Sequence, residues 1–236
     1  MGQDWPGGPP PLPGAGGGGG GSTPWERRAE IGLVSALVET TKSVLTSPGE
    51  FFRGMPVSGG IGAPLGYGVI LGYVGLLAQA IYDAVFRAVM GSAFAPFGSR
   101  PEMERFGALM GGGLGFMVSA ILGPILAVIG IFVAAGVFHV MLLLLGSARR
   151  DFEATVRVSC YSEAAALLLL IPLCGQLVGG VYQIVLWIIG LSEAHGITKG
   201  KAAAAVLIPI ALLCCCCVAL IAIFAGGLAA ALGQMR

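Results

Sequence analysis

Hydrophobic and polar positions divide this chain very unevenly. From Gly107 to Leu145 there are 39 residues with one His and no Asp, Glu, Lys or Arg. A hydrocarbon core about 30 Å thick is crossed by roughly 20 such residues in a helix, which also satisfies every backbone N–H and C=O internally. Comparable runs, separated by short connectors that hold most of the charge, fill the chain from Pro64 onward. The pattern predicts an all-α, polytopic helical membrane protein with about five transmembrane helices, preceded by an amphipathic interfacial helix.

Ahead of these runs the period changes. Residues 1–23, with Pro9 to Pro11, Pro13 and the glycine run Gly16 to Gly21, cannot bury enough apolar surface to offset chain entropy. They read as a disordered tail. Thr23, Pro24 and Glu26 form a capping-box pattern, with a cap residue, a proline at the first helical position and an acid three residues beyond the cap. From Trp25 to Ser47, Ile31, Val34, Leu37, Val38 and Leu45 fall on one side of a 3.6-residue helix, and Arg28, Ser35, Glu39 and Lys42 on the other. Residues 24–53 are therefore expected to be a cytoplasmic amphipathic segment. It lies in the interface with Phe51 and Phe52 dipping toward the acyl chains, or else packs on the membrane bundle. Residues 54–236 form the transmembrane domain.

Within that domain the first span is expected from about Pro64 to Tyr82, with Asp83 and Arg87 at the far interface and a polar connector from Arg87 to Arg105 holding Pro96 and Pro101. The 39-residue run could cross once with a kink at Pro124, or twice. Lys and Arg collect in cytoplasmic connectors, so their distribution arbitrates. One crossing puts nine basic residues on one side (Arg27, Arg28, Lys42, Arg53, Arg149, Arg150, Arg157, Lys199, Lys201) and four on the other (Arg87, Arg100, Arg105, Arg236). Two crossings give eight against five. A single span from about Phe116 to Leu145 follows. Ser159 to Leu191 is too long for one helix and reads as two short spans joined at Pro172 to Gly175. The last span covers about Ala202 to Leu232. This arrangement leaves the N-terminus cytoplasmic.

Composition adds exclusions more than assignments. With 56% hydrophobic and 11% charged residues, the chain belongs to the membrane class. Its net charge of +1 is spread over connectors, so no nucleic acid is expected as a partner; the partners are the lipid bilayer and either a protein or a second copy through helix packing. The absence of Asn removes any N-glycosylation acceptor, and abundant Gly and Ala suggest a high-GC bacterial genome and a bacterial cell (inner) membrane. The consecutive Cys214 to Cys217 splay about 100° apart on a helix and cannot chelate one ion, so they read as small apolar fillers.

Three residues stand out as candidates. Glu163 is an acid near the start of the third span, where a charge is costly unless functional. It is either a proton-coupling or cation-binding group or, more plainly, the partner of Arg157 in an interfacial ion pair. His139 sits in mid-run, and a hydrogen bond between helices is the expected role, with a proton relay as the alternative. His195 is expected to face water. No nucleophile, base and orienter set, phosphate loop, cofactor motif or metal-ligand spacing appears, so neither an enzyme nor a cofactor is expected.

The order of segments resembles the YIP family (Ypt-interacting proteins) of five-span membrane proteins, in its prokaryotic branch. The matching stretches are Ser47-Pro48-Gly49-Glu50-Phe51-Phe52, then Asp151-Phe152-Glu153-Ala154-Thr155-Val156-Arg157-Val158 leading into Tyr161-Ser162. Ile171-Pro172-Leu173-Cys174-Gly175, Ile189-Gly190-Leu191 and Ala194-His195-Gly196-Ile197 follow in the family's order. The resemblance implies a non-enzymatic integral membrane protein acting in membrane organisation or partner recruitment, similar to eukaryotic relatives that bind small prenylated GTPases. The Tyr-Ile-Tyr-Gly motif of those relatives is absent, so no binding residue is carried over. A small transporter or channel, using broken spans near Pro124 and Pro172, is the alternative.

Overall fold

The computed structural model describes residues 21–94, 113–172 and 174–234, and every regular element among them is helical. Three short helices open the described chain: α1 (Arg28–Ile31), α2 (Leu33–Thr46) and α3 (Pro48–Gly54). Long α4 (Gly62–Phe94) and α5 (Gly113–Leu144) follow, then α6 (Phe152–Ser162), which tightens into a 3-10 segment (Glu163–Leu170), then α7 (Gly175–His195) and α8 (Lys199–Gln234). The expected tail and the proline-bearing connector fall largely outside the described residues.

Among the described residues four helices are long and apolar enough to cross a membrane, within Gly62–Phe86, Ala120–Leu144, Gly175–His195 and Lys199–Phe224. A fifth stretch, α6 with its 3-10 continuation, is long enough to cross as well. Its 11 α-helical and 8 3-10 residues together reach about 32 Å. It is more polar than the others because it forms the centre of the bundle, where every side chain from Ala154 to Ser162 is buried. Neighbouring protein, not lipid, surrounds its Thr155, Arg157 and Ser159.

Specific contacts fix the directions. Tyr73 donates to the Ala120 carbonyl (2.8 Å), and a Cβ on Gly68 would sit 2.9 Å from Ile131 Cδ1, so α4 and α5 are antiparallel. Gly68 faces Cys160, Gly75 faces Ala166, and Tyr82 donates to the Leu170 carbonyl (2.6 Å), so α4 runs parallel to the third passage. Gly190 against Val158 and Gly179 against Leu169 make α7 antiparallel to it. The chain reverses into α8 at Gly196, whose φ of 60° is the left-handed conformation that suits glycine at a helix C-terminus. Tyr82 and Leu170 thus mark one membrane level, about 30 Å along the axis of α4 from Gly62 at 1.5 Å per residue.

Within the described part of residues 107–145, α5 continues through Pro124 without a break and holds one candidate span, Ala120–Leu144. The missing N–H of a proline removes one helical hydrogen bond, which a membrane helix tolerates among packed neighbours. The helix α4 departs from expectation at its far end. It runs twelve residues past Tyr82, to Phe94, instead of stopping where Asp83 and Arg87 begin a connector.

At the opposite, proximal end, α1 to α3 clasp the bundle. The capping box forms: Thr23 N–H donates to Glu26 Oε2 (2.9 Å) and Glu26 N–H to Thr23 Oγ1 (3.3 Å). The expected continuous helix breaks at Gly32, where φ is 89°. Phe52 is buried against Gly190, and Phe51 stacks edge-on with Tyr161, so neither reaches acyl chains as expected. The face of α2 that packs inward carries Ala36, Thr40, Thr41 and Val44, small or hydroxylated residues that permit close approach. Leu33, Val34 and Val38 consequently point outward.

Candidate functional site

Buried polar groups gather in three places around the central passage. The first is Arg157, held in the middle of α6 and 1% exposed. Its guanidinium donates to Glu26 through Nη2 and to the Gly60 carbonyl through Nη1 (2.5 Å), and lies 3.8 Å from Glu153, one turn back. Glu153 in turn accepts from Gly60 N–H (2.7 Å). The loop before α4, the capping box and α6 are therefore tied through one cation. Beside it, Thr23 Oγ1 shares a hydrogen with the Tyr161 hydroxyl (2.8 Å), and Trp25 Nε1 donates to the Ala63 carbonyl (2.6 Å). On α3, Arg53 makes a two-pronged pair with Glu193 (3.0 and 3.1 Å). The hydrogen bonds and charge of Glu193 raise the Arg53 pKa.

The expected Arg157–Glu163 pair does not form. Six helical positions turn the axis by about 600°, which points the two side chains to different sides of the passage. Arg157 faces the proximal clasp, whereas Glu163 faces α4, with its Oε2 3.2 Å from where a Gly72 Cβ would stand. Among the described residues no hydrogen bond or ion pair reaches the Glu163 carboxylate.

The second cluster joins α5, α6 and α7. Arg150 N–H donates to His195 Nδ1 (3.2 Å), so the proton of a neutral His195 sits on Nε2 and donates to Thr155 Oγ1 (3.0 Å). The Thr155 hydroxyl is then free to donate to His139 Nδ1 (2.9 Å). His139 is thus hydrogen-bonded between helices, as expected. His195 departs from expectation: it is 1% exposed instead of facing water. Its position at the last turn of a helix that folds back under Gly196 buries the ring, and nothing in local composition marks that.

The third place is a cleft of about 370 Å³ opening sideways between α4, α5 and the start of α7. Glu163, Gln79 and Gln176 supply its polar groups, and Gly72, Gly75 and Ala127 keep it open. Glu26 was legible through its cap, but the Glu153–Arg157 pair four apart was missed in favour of Glu163. Thr155, Gln79 and Gln176 carried no comparable signal.

Among the described residues no three His, Cys, Asp or Glu side chains gather as they would around a metal ion. The cysteines divide: Cys160 fills the core, and Cys214 to Cys217 are exposed on α8. Among the described side chains of that helix, those that pack on the core lie near its start, at Ala202, Ala205, Val206 and Ile210.

A family model described as the Yip1 domain matches residues 42–221. No curated protein and no solved structure matches the chain.

Proposed function

The chain belongs to the Yip1 domain family, and on that footing we propose that it is a non-enzymatic membrane protein whose clasp of α1 to α3 acts on the organisation of the bilayer. One observation carries this reading. The helix α2 is locked to the bundle yet leaves Leu33, Val34 and Val38 uncovered. The lock is specific: Thr41 Oγ1 bonds the Tyr67 hydroxyl (2.9 Å), and the Tyr182 hydroxyl donates to the Leu45 carbonyl (2.5 Å). Tyr67 stands about 7 Å along α4 from Gly62, so α2 is held at the depth of the headgroup and acyl boundary. An apolar edge fixed at that depth inserts into one leaflet and displaces lipid there without crossing.

Basic connectors orient the protein with α1 to α3 on the cytoplasmic side of a bacterial inner membrane. The exposed polar residues Glu39, Lys42 and Glu50 of the same clasp then face the cytoplasm, where they are available to a recruited protein. Any contact with a second copy belongs on α8, whose residues 211–224 the chain itself leaves exposed.

The test replaces Leu33, Val34 and Val38 together by Asp in the full chain. Their side chains lie outside the packed core, so thermal stability in detergent should change little. Reconstituted at equal density, the native protein should reshape large anionic vesicles into smaller or tubulated ones, and the triple variant should leave them as they were. Equal effects of both proteins would refute leaflet insertion by α2.

A further inference from the structure

The depth of Glu163 gives its cleft a meaning separate from the clasp. Gly72, against which the carboxylate rests, lies about 15 Å along α4 from Gly62, midway to the Tyr82–Leu170 level. A carboxylate in mid-membrane is expensive unless paired, and the described residues offer no cation to it. Arg157, the nearest in sequence, is committed to Glu26 and Glu153 on another face.

The space around Glu163 is shaped for more than a proton. Besides Gln79 and Gln176, the cleft is lined by Leu76, Leu126 and Leu169. Gln79, Leu169 and Gln176 also line a second, adjoining cavity of about 520 Å³, which extends past Tyr82, Phe86 and Pro172 and holds a second carboxylate, Asp83. Gln79 Nε2 donates to Asp83 Oδ1 (3.1 Å), which leaves the Gln79 carbonyl oxygen free to accept. One groove therefore leads from the far end of the bundle to mid-membrane, with acids at both ends and apolar walls between. A bare alkali ion would need five or six converging oxygens. At its Glu163 end this groove offers one carboxylate and two carboxamides across a width that admits an organic molecule.

We propose that the groove is a binding site for an amphiphilic organic cation, whose charged nitrogen or equivalent onium centre sits against Glu163 and whose apolar body lies along Leu76, Leu126 and Leu169. A phospholipid ammonium group is excluded by depth, since a headgroup stays at the interface while Glu163 lies at the bilayer midplane. The occupant is a freely partitioning lipophilic cation that enters sideways between α4 and α7 or from the Asp83 end. The 3-10 winding helps to build the site: it starts at Glu163 and ends at Leu170, so the wall opposite α4 is drawn tighter than an α-helix. Gly72 and Gly75 then yield the room that side chains would take.

The experiment is equilibrium binding of tetraphenylphosphonium, a lipophilic cation, to the detergent-purified full chain at mildly alkaline pH. Saturable binding is expected, and Glu163→Gln should weaken it at least about thirtyfold, the loss that follows removal of one partner from a buried charge pair. Leu76→Trp fills the cleft from a partly exposed position without touching the acid, so it should also abolish binding while preserving the melting temperature. This second variant decides the matter if Glu163→Gln fails to fold. No binding above that of empty micelles, or equal binding by the native protein and Leu76→Trp, would overturn the proposal. Displacement of the probe by sodium at concentrations to which Leu76→Trp remains equally sensitive would reassign the site to an inorganic ion, and also overturn it. None of these outcomes depends on whether α2 reshapes vesicles.

Discussion

Arg157 shows what a buried charge contributes in the middle of a membrane bundle. Its guanidinium sits at 1% exposure, and Glu26 and Glu153 are the only ion-pair partners it has among the described residues. Such a triad contributes little net stability compared with apolar packing, because desolvation offsets the Coulombic gain. Removing one member is another matter, since it strands the others. Arg157→Met is expected to lower the unfolding free energy in detergent by about 3 kcal/mol, the low end for a broken buried pair because water still reaches Glu153. Adding Glu26→Gln and Glu153→Gln should recover most of that loss. If the single and triple variants unfold alike, the cluster is not coupled as its geometry requires. Whatever the energy, the pairing specifies geometry: one cation fixes where the capping box and the Gly60 loop meet α6.

At the scale of elements, the clasp behaves as part of the bundle and not as an appended domain. Phe52 fills a pocket that exists because Gly190 has no side chain; a Cβ there would stand 2.5 Å from Val158 Cγ1 and 3.2 Å from the Phe52 ring. Phe52→Ala should therefore cost about 3 to 5 kcal/mol, as for other buried aromatics. It should also free α2 and α3, so that limited proteolysis cuts within residues 33–54 well before the membrane helices open. Unchanged protection of that segment would mean that Thr41–Tyr67 and Arg53–Glu193 suffice to hold it. The sequence was informative where a rule is local, as for the capping box at Thr23 and the break at Pro172 to Gly175, whereas the single crossing expected for α5 rests on the distribution of Lys and Arg over the whole chain. It misled where burial comes from distant chain. The apolar stripe of α2 was readable, but not that Ala36, Thr40 and Thr41 would be its packing face, because that choice depends on Tyr67 and Tyr182. Asp151 to Val158 looked like a connector for the same reason. Its polarity is that of a helix surrounded by protein, and no periodicity marks which helix becomes the central one. Glu163 was visible as an acid in an apolar run, whereas its cleft needed three separate helices to exist.

The parity of the whole molecule depends on that central helix. By hydropathy and length alone the described chain has four spans, and an even number puts the Gly59–Gly60 loop and the end of α8 on the same side. Counting α6 with its 3-10 continuation as a passage makes the number odd and puts them on opposite sides. Geometry favours the odd count, because Tyr82 on α4 and Leu170 at the end of the 3-10 segment meet at one level while Gly68 and Cys160 meet at another, about four helical turns away. Both helices thus traverse the same slab in the same direction. Reporter fusions after Arg150, after Cys174, after Lys201 and after Gln234 test this directly. Arg150 and Lys201 should report the cytoplasm, and Cys174 and Gln234 the opposite side. A cytoplasmic signal at Cys174 would mean that α6 and α7 form a hairpin that enters and leaves by one face. That result would move Glu163 from the bilayer midplane to the tip side of a re-entrant loop. The topology experiment therefore bears on the cleft as well as on the span count, because only the opposite-side result at Cys174 leaves Glu163 at the mid-membrane depth from which a headgroup is excluded and a lipophilic cation is not.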